Sequence, residues 1–313
     1  MNKITIVGAG NVGATLGMFV AQEELADVVL VDIQKDMAQA KALDIQDALS
    51  VLGKDCQVIG TDNYELAGGS QVVVVTAGIP RKPGMLRKDL VSTNAAIVTS
   101  VVKNLTKHAP EAIVIMVTNP LDVMTYLAQK TGGYDRKKIM GMAGVLDGAR
   151  MTNQISKTFD VSVRSIRTLV LGSHGNEMVP VFSHTVVDSK KLVGDFLKPS
   201  AETTGRLAAI EEAARNRGAQ IVSLLGKGSA FYAPSASALT MVRAILNDTK
   251  ETVAASVCLS GEYGISDICI GVPISLGKAG IESIVKIELD SGEKESLVRA
   301  SNAIKEMIEQ IKE

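Results

Sequence analysis

Short runs of β-branched residues alternate with longer amphipathic stretches through the first half of the chain. Ile4-Thr5-Ile6-Val7, Val28-Val29-Leu30-Val31 and Val72-Val73-Val74-Val75 are apolar throughout or nearly so. Such continuous runs mark strands covered on both faces, as in a parallel sheet. The pattern predicts strands over 4–7, 28–31, 72–76 and 113–118, with a weaker one near 57–59. Between them, helices are predicted over about 12–24, 35–52, 90–108 and 122–130. Strand–helix alternation of this kind means βαβ units with right-handed crossovers, hence a doubly wound parallel sheet of the Rossmann type.

From about Met142 the pattern changes. A predicted helix over 147–158 is followed by strand-like runs at 166–171 and 179–187, then helical stretches at 201–215, 220–225 and 236–246. Further strand runs lie near 253–260, 267–274 and 284–289, and a closing helix carries Leu297, Ile304, Ile308 and Ile311 on one stripe. The expected boundary lies near residue 143, with residues 1–143 as a first domain and 144–313 as a mixed α+β second domain. A length of 313 residues suits two domains. No repeat or low-complexity segment is visible.

Composition excludes several classes. The net charge of −1 leaves no electrostatic footprint for nucleic acid, and aromatics at 3% with no Trp leave no base-stacking platform. No apolar run approaches the ~18 residues of a membrane span, and the first residues lead straight into a strand without a signal-peptide pattern. Cys56, Cys258 and Cys269 fit neither a disulfide framework nor a CxxC metal site, so a reducing cytoplasm and no metal are expected.

Gly8-Ala9-Gly10-Asn11-Val12-Gly13 matches GxGxxG. Alone the match is weak. Here it follows a strand and opens a helix, and the next strand ends in Asp32, about 20 residues on, which completes the dinucleotide fingerprint. Gly8 permits the turn, Gly10 lets pyrophosphate approach the backbone, and Gly13 lets helix and strand pack. Asp32 suits ribose hydroxyls and repels a 2′-phosphate, so the expected cofactor is NAD and not NADP.

Arg81 and Arg87 lie in Gly78-Ile79-Pro80-Arg81-Lys82-Pro83-Gly84-Met85-Leu86-Arg87, directly after a strand. Two guanidiniums at the carboxyl edge of an α/β sheet suggest a small, doubly anionic ligand under a flap over 80–88. The plain alternative is a solvated basic loop. Of three histidines, His108 ends a helix and reads as a cap or surface residue, and His184 in an apolar run reads as a satisfied core or interface residue. His174, in Gly172-Ser173-His174-Gly175-Asn176, follows a strand between glycines, where an imidazole stays accessible for acid–base work. Asp147 and Arg150 share a helix face, either as a surface ion pair or with Asp147 orienting a histidine and Arg150 binding a carboxylate. Asn119 precedes Pro120 and reads equally as a turn or cap residue.

Taken together, GAGNVG, VVD, TAGIPRKPGMLR, VTNP, GVLDGAR, GSHGNEMVP and GSAFYAP run in order along essentially the whole chain and resemble the lactate/malate dehydrogenase family. The likeness is to its malate-acting branch most similar to the lactate enzymes. It implies His174 as proton donor and acceptor with Asp147 as partner, Arg87 polarising the substrate carbonyl, and Arg150 holding the C1 carboxylate. Asn119 would touch the substrate oxygen and the nicotinamide side, and Asn94 and Val117 fall at NAD contacts. Lactate enzymes carry an uncharged residue where Arg81 stands, so Arg81 implies a second carboxylate and malate/oxaloacetate over lactate/pyruvate. The resemblance also implies a homodimer or homotetramer. Departures are Asn176, where an Asp is common, Met151-Thr152 in place of Phe-Arg, and Gly228, which leaves room for a C4 acid. Rival readings are a lactate or other 2-hydroxyacid dehydrogenase, an NAD-dependent glycosidase, and a silent NAD-binding protein. Arg81 disfavours the first. The second lacks a Cys/His metal pair close in sequence, and the third is at odds with the intact set His174, Asp147, Arg87 and Arg150.

Overall fold

The computed structural model describes residues 2–80 and 87–312. In the first half, strands β1 (Lys3–Val7), β2 (Asp27–Val31), β3 (Val58–Thr61), β4 (Val72–Val75), β5 (Ile113–Met116) and β6 (Ile139–Gly141) alternate with helices α1 (Asn11–Gln22), α2 (Lys35–Leu52), α3 (Arg87–His108) and α4 (Leu121–Gly132). The strands pair in parallel in the order β3-β2-β1-β4-β5-β6. Every residue of β4 and β5 is buried, which explains why these runs carry no polar alternation. Chain direction across the sheet reverses between β1 and β4, and the carboxyl edge at that point is where ligands of such sheets bind.

The second half contributes α5 (Gly144–Phe159), β7 (Ile166–Arg167), β8 (Val170–Gly172), β9 (Met178–Pro180), β10 (Val186–Val187) and β11 (Lys190–Lys191). It continues with α6 (Ala201–Leu225), α7 (Tyr232–Leu246), β12 (Glu251–Ser260), β13 (Ser266–Gly277), β14 (Gly280–Ile284) and α8 (Ser291–Lys312). β12, β13, β8 and β9 extend the parallel sheet beyond β6 with antiparallel pairing, so one sheet runs through both halves. β11, β10 and β7 form a small separate sheet. A large core spans both halves, from Ile4 and Val74 to Val257, Ile270 and Ile304. A smaller core around Met151, Ile155, Ile166 and Ile210 lies beneath α6.

Several sequence expectations need correction. The stretches 201–215 and 220–225 are one helix, α6. Its interior Asn216-Arg217-Gly218 interrupts the apolar pattern but not the helix, and a Cβ on Gly218 would make only an ordinary 3.4 Å contact with Arg150 Nη2. The runs 166–171 and 179–187 each divide between the two sheets, the latter around a 3₁₀ turn, Phe182–His184. The last strand lies earlier than 284–289, because the turn between β13 and β14 sets its register at Gly277↔Gly280. Cys258 and Cys269 do pair. They face each other across the β12–β13 ladder and form a disulfide, while Cys56 is buried. No described helix is long and apolar enough to cross a membrane.

Candidate active site

The turns that follow β1, β2, β4 and β5 meet at the carboxyl edge of the sheet. Gly8 adopts φ +103°, and a Cβ there would stand 2.6 Å from Thr76 Oγ1. A Cβ on Gly13 would stand 1.9 Å from the Gly8 carbonyl oxygen, so only glycine lets α1 pack on β1. Gly10 differs: among the described residues, nothing beyond its own chain neighbours lies within 4 Å of its would-be Cβ. The open space leaves that backbone accessible to a group lying against it from outside. Gly10 is the N-cap of α1 and no side chain caps the helix, which leaves a site suited to pyrophosphate. Asp32 closes β2, and its Oδ2 accepts the Ala9 N–H at 2.8 Å while Oδ1 accepts the Gln34 N–H at 2.9 Å. A carboxylate fixed in this way keeps lone pairs for ribose hydroxyls and offers nothing to a phosphate. The residues present fit a bound NAD.

A cleft of 480 Å³ runs from this turn, past Asn11 and Val12, to Val117, Asn119 and His174. Gly228 lines it, at φ +84° with open space around it. Asn94 is buried on α3. Its Nδ2 donates to the carbonyls of Asn119 (2.7 Å) and Ile79 (3.2 Å), and its Oδ1 accepts the Ile79 N–H (2.9 Å). Its amide therefore ties the end of the β4 turn to Asn119, with only a lone pair left toward the cleft. Asn119 is exposed at the cleft, before a cis bond to Pro120. Arg81 lies outside the described residues. Arg87 begins α3, and its side chain lies outside them too.

His174 sits in the turn between β8 and β9, with its side chain 13% exposed. Its Nδ1 lies 2.8 Å from Asp147 Oδ2. An ionised carboxylate can only accept, so Nδ1 carries a proton and Nε2 is left to exchange one. Asp147 Oδ1 accepts from Arg150 Nη1 at 3.3 Å, and this pair is 4% and 17% exposed, so it is no surface ion pair. Burial is the largest influence on the His174 pKa and lowers it. The charge and hydrogen bond of Asp147, aided by the charge of Asp122, outweigh burial, and the net displacement is upward from 6.5.

Asp122 is a residue the sequence reading missed. It is 3% exposed at the start of α4, and its Oδ2 accepts the His174 backbone N–H at 2.8 Å. Its Oδ1 accepts the Ser256 hydroxyl at 2.7 Å. Burial pushes its pKa up to about 6 against these two hydrogen bonds. The signal available was an acid directly after Asn119-Pro120-Leu121, at the carboxyl edge of a strand. The remaining histidines stand apart from the site. His184 Nε2 meets the Glu288 carbonyl at 2.7 Å in the 3₁₀ turn, and His108 ends α3. No group of three or more His, Cys, Asp or Glu among the described residues is placed to hold a metal.

Residues 2–141 match the lactate/malate dehydrogenase NAD binding domain, and residues 144–313 match the lactate/malate dehydrogenase alpha/beta C-terminal domain. A malate dehydrogenase of Thermomicrobium roseum is 44% identical over 311 residues, covering 99% of this chain and 98% of that protein. Among solved structures, malate dehydrogenase of Cryptosporidium parvum superposes with a TM-score of 0.94 at 38% identity, covering 99% of each chain. Lactate dehydrogenase of the same organism, complexed with lactic acid and nicotinamide adenine dinucleotide, has a TM-score of 0.94 at 36% identity, covering 99% of this chain and 98% of that one.

Proposed function

The chain belongs to the lactate/malate dehydrogenase family, and from that premise we propose that it interconverts (S)-malate and oxaloacetate with NAD. The observation that carries the chemistry is the 2.8 Å contact between His174 and Asp147 in the cleft that begins at the glycine-rich turn. Relatives named malate dehydrogenase, at 43–44% identity over nearly the whole chain, favour malate over lactate. Residues 1–143 form the proposed NAD-binding domain and residues 144–313 the catalytic domain.

The cleft would hold NAD, which would supply the acceptor for the hydride on C2 of malate. In that direction Nε2 of His174 takes the C2 hydroxyl proton as the carbonyl forms. Asp147 stabilises the resulting imidazolium and fixes its ring. Arg150 pairs with the C1 carboxylate through its planar fork. Arg87 polarises the C2 oxygen, Asn119 touches the same oxygen, and Arg81 pairs with the C4 carboxylate. Gly8, Ala9, Gly10, Asn11, Val12 and Gly13 would hold the pyrophosphate and Asp32 the adenine ribose, Asn94 and Val117 would contact NAD, and Asn119 would reach the nicotinamide side.

The subunit is proposed to assemble as a homodimer or homotetramer. α2 leaves Leu43 (68% exposed) and Val51 (87%) bare, and α6 ends in exposed Leu224 and Leu225. A single mass near 33.0 kDa by light scattering at micromolar concentration would refute this. The proposed setting is the cytoplasm. Reducing thiols there oppose the Cys258–Cys269 bond, and the β12–β13 ladder holds the strands without it.

Steady-state kinetics with oxaloacetate and pyruvate test the activity. Oxaloacetate should be preferred, and His174→Asn should lose on the order of 10²–10⁴-fold in kcat while NADH still binds. Equal use of pyruvate, or a variant keeping more than about a tenth of kcat, overturns the reading.

A further inference from the structure

We propose that Asp122 is a positioning residue for His174, holding its main chain from α4 while presenting a second negative charge to its ring. This rests on reading His174 as the acid/base. The turn from Ser173 to Glu177 is short and tightly bent: Gly172 has φ +80°, and Ser173 N–H donates to the Glu177 carbonyl. The Asp122 carboxylate takes the one backbone N–H that belongs to His174 itself.

A carboxylate in the first turn of a helix ordinarily serves that helix, by capping it or by meeting its dipole. Asp122 does not cap α4, whose N-cap is Pro120 with no side-chain cap. Its two oxygens reach residues 52 and 134 positions away, His174 and Ser256. Ser256 is fully buried on β12, so its hydrogen bond to Asp122 lies out of water, and the bond to His174 is partly buried.

The charge is the part that needs explaining. An asparagine has the same shape, its carbonyl could accept the His174 N–H, and its amide could donate to Ser256. That arrangement keeps a partner for each residue without the cost of a buried anion. The chain nonetheless keeps an acid there. Among the described residues, the charged groups acting on the His174 ring are Asp147 and Arg150 from α5 and Asp122 from α4, and those acting on Asp122 are His174 and Asp147. Arg150 opposes the imidazolium, and Asp122 offsets it alongside Asp147.

The test reads the ring directly, so it does not depend on turnover. The chain holds only three histidines, and His174→Asn assigns the His174 signal in an NMR titration of the ring protons. Asp122→Asn should move the His174 titration to lower pH by about half a pH unit or more. Ser256→Ala, which keeps the charge and the N–H acceptor, should move it clearly less. If the titration is unchanged in Asp122→Asn, or if Ser256→Ala moves it equally, the proposal falls. Kinetics supply a second readout: in Asp122→Asn the decline of kcat/KM for oxaloacetate with rising pH should begin at lower pH. A loss of kcat with an unmoved profile would mark a merely structural role. Should Asp122→Asn not fold, His174→Gln keeps the backbone donor. Its amide proton at position 174 should follow the protonation of Asp122, and a flat shift from about pH 5 to 8 overturns the proposal. Failure of the wild type to reduce oxaloacetate would sink the functional reading and leave this titration intact.

Discussion

Replacing Asp147 by Asn is the sharpest test of the proton-transfer geometry. The change keeps side-chain size but removes a charge 2.8 Å from His174 Nδ1. Two consequences follow. An amide that donates to Nδ1 stabilises the wrong tautomer, with Nε2 already protonated in the neutral ring. The imidazolium also loses the partner whose charge and hydrogen bond hold its pKa above 6.5 against burial. An opposite charge at this range shifts a pKa by about 1–3 pH units, or ~1.4–4 kcal/mol. Oxaloacetate reduction requires the protonated ring, so at pH above the wild-type pKa its kcat/KM falls by about 10- to 1,000-fold from this effect. Loss of the tautomer brings the expected total to about 10²–10⁴. The sign is definite. Reduction declines as pH rises through the His174 pKa and malate oxidation increases, and in Asp147→Asn both limbs shift to lower pH. The assay is kcat/KM in both directions across pH, with NADH affinity by fluorescence as the control. A loss below about tenfold with unmoved limbs would refute the assignment of His174 and Asp147 as the acid–base pair.

Arg81→Gln should cost oxaloacetate about 2–5 kcal/mol, roughly 30- to 5,000-fold in kcat/KM, by leaving a closed-in carboxylate unpaired. Pyruvate should gain, and flat kinetics for both substrates would return the choice to a broader 2-hydroxyacid activity. NADH should outperform NADPH by at least about tenfold in kcat/KM, ~1.4 kcal/mol, because the Asp32 carboxylate is fixed by Ala9 and Gln34 and cannot turn away from a phosphate. Equal efficiency would remove Asp32 from that role. Gly13→Ala should lower stability by about 1–3 kcal/mol, since its Cβ would stand 1.9 Å from a backbone oxygen and neither side can yield cheaply. An unchanged melting temperature and NADH affinity would contradict the packing argument.

What was legible in the sequence was local. Gly8, Gly10 and Gly13 announce themselves through spacing after an apolar run, and Asp32 through its place at the next strand end. His174 and Asp147 could be named as chemistry-bearing types, but the spacing left their contact open. Asp122 stayed hidden because its partners are 52 and 134 residues away and no periodicity links them. Cys258 and Cys269 were hidden for a similar reason: only the register of β12 against β13 sets them opposite one another. α6 is one helix where the pattern predicts two, because its apolar periodicity weakens through the polar residues Asn216 and Arg217 and Gly218. Local propensity fails where tertiary contact supplies the reason for a residue.

The joint between β6 and β12 bears on how the molecule comes apart. The backbone pair Gly141↔Ser256 stitches the parallel strands to the antiparallel ones, and the main core crosses that seam. A chain cut after residue 143 would leave β6 as a bare edge strand, with Ile139 and Met140, now 1% and 0% exposed, stripped of cover. The nucleotide-binding half is therefore not a detachable module. Melting should proceed as one cooperative event in which the dinucleotide cleft and the proton-transfer site are lost together, and protection of buried amides against hydrogen exchange in β4 and β12 should decay at the same free energy.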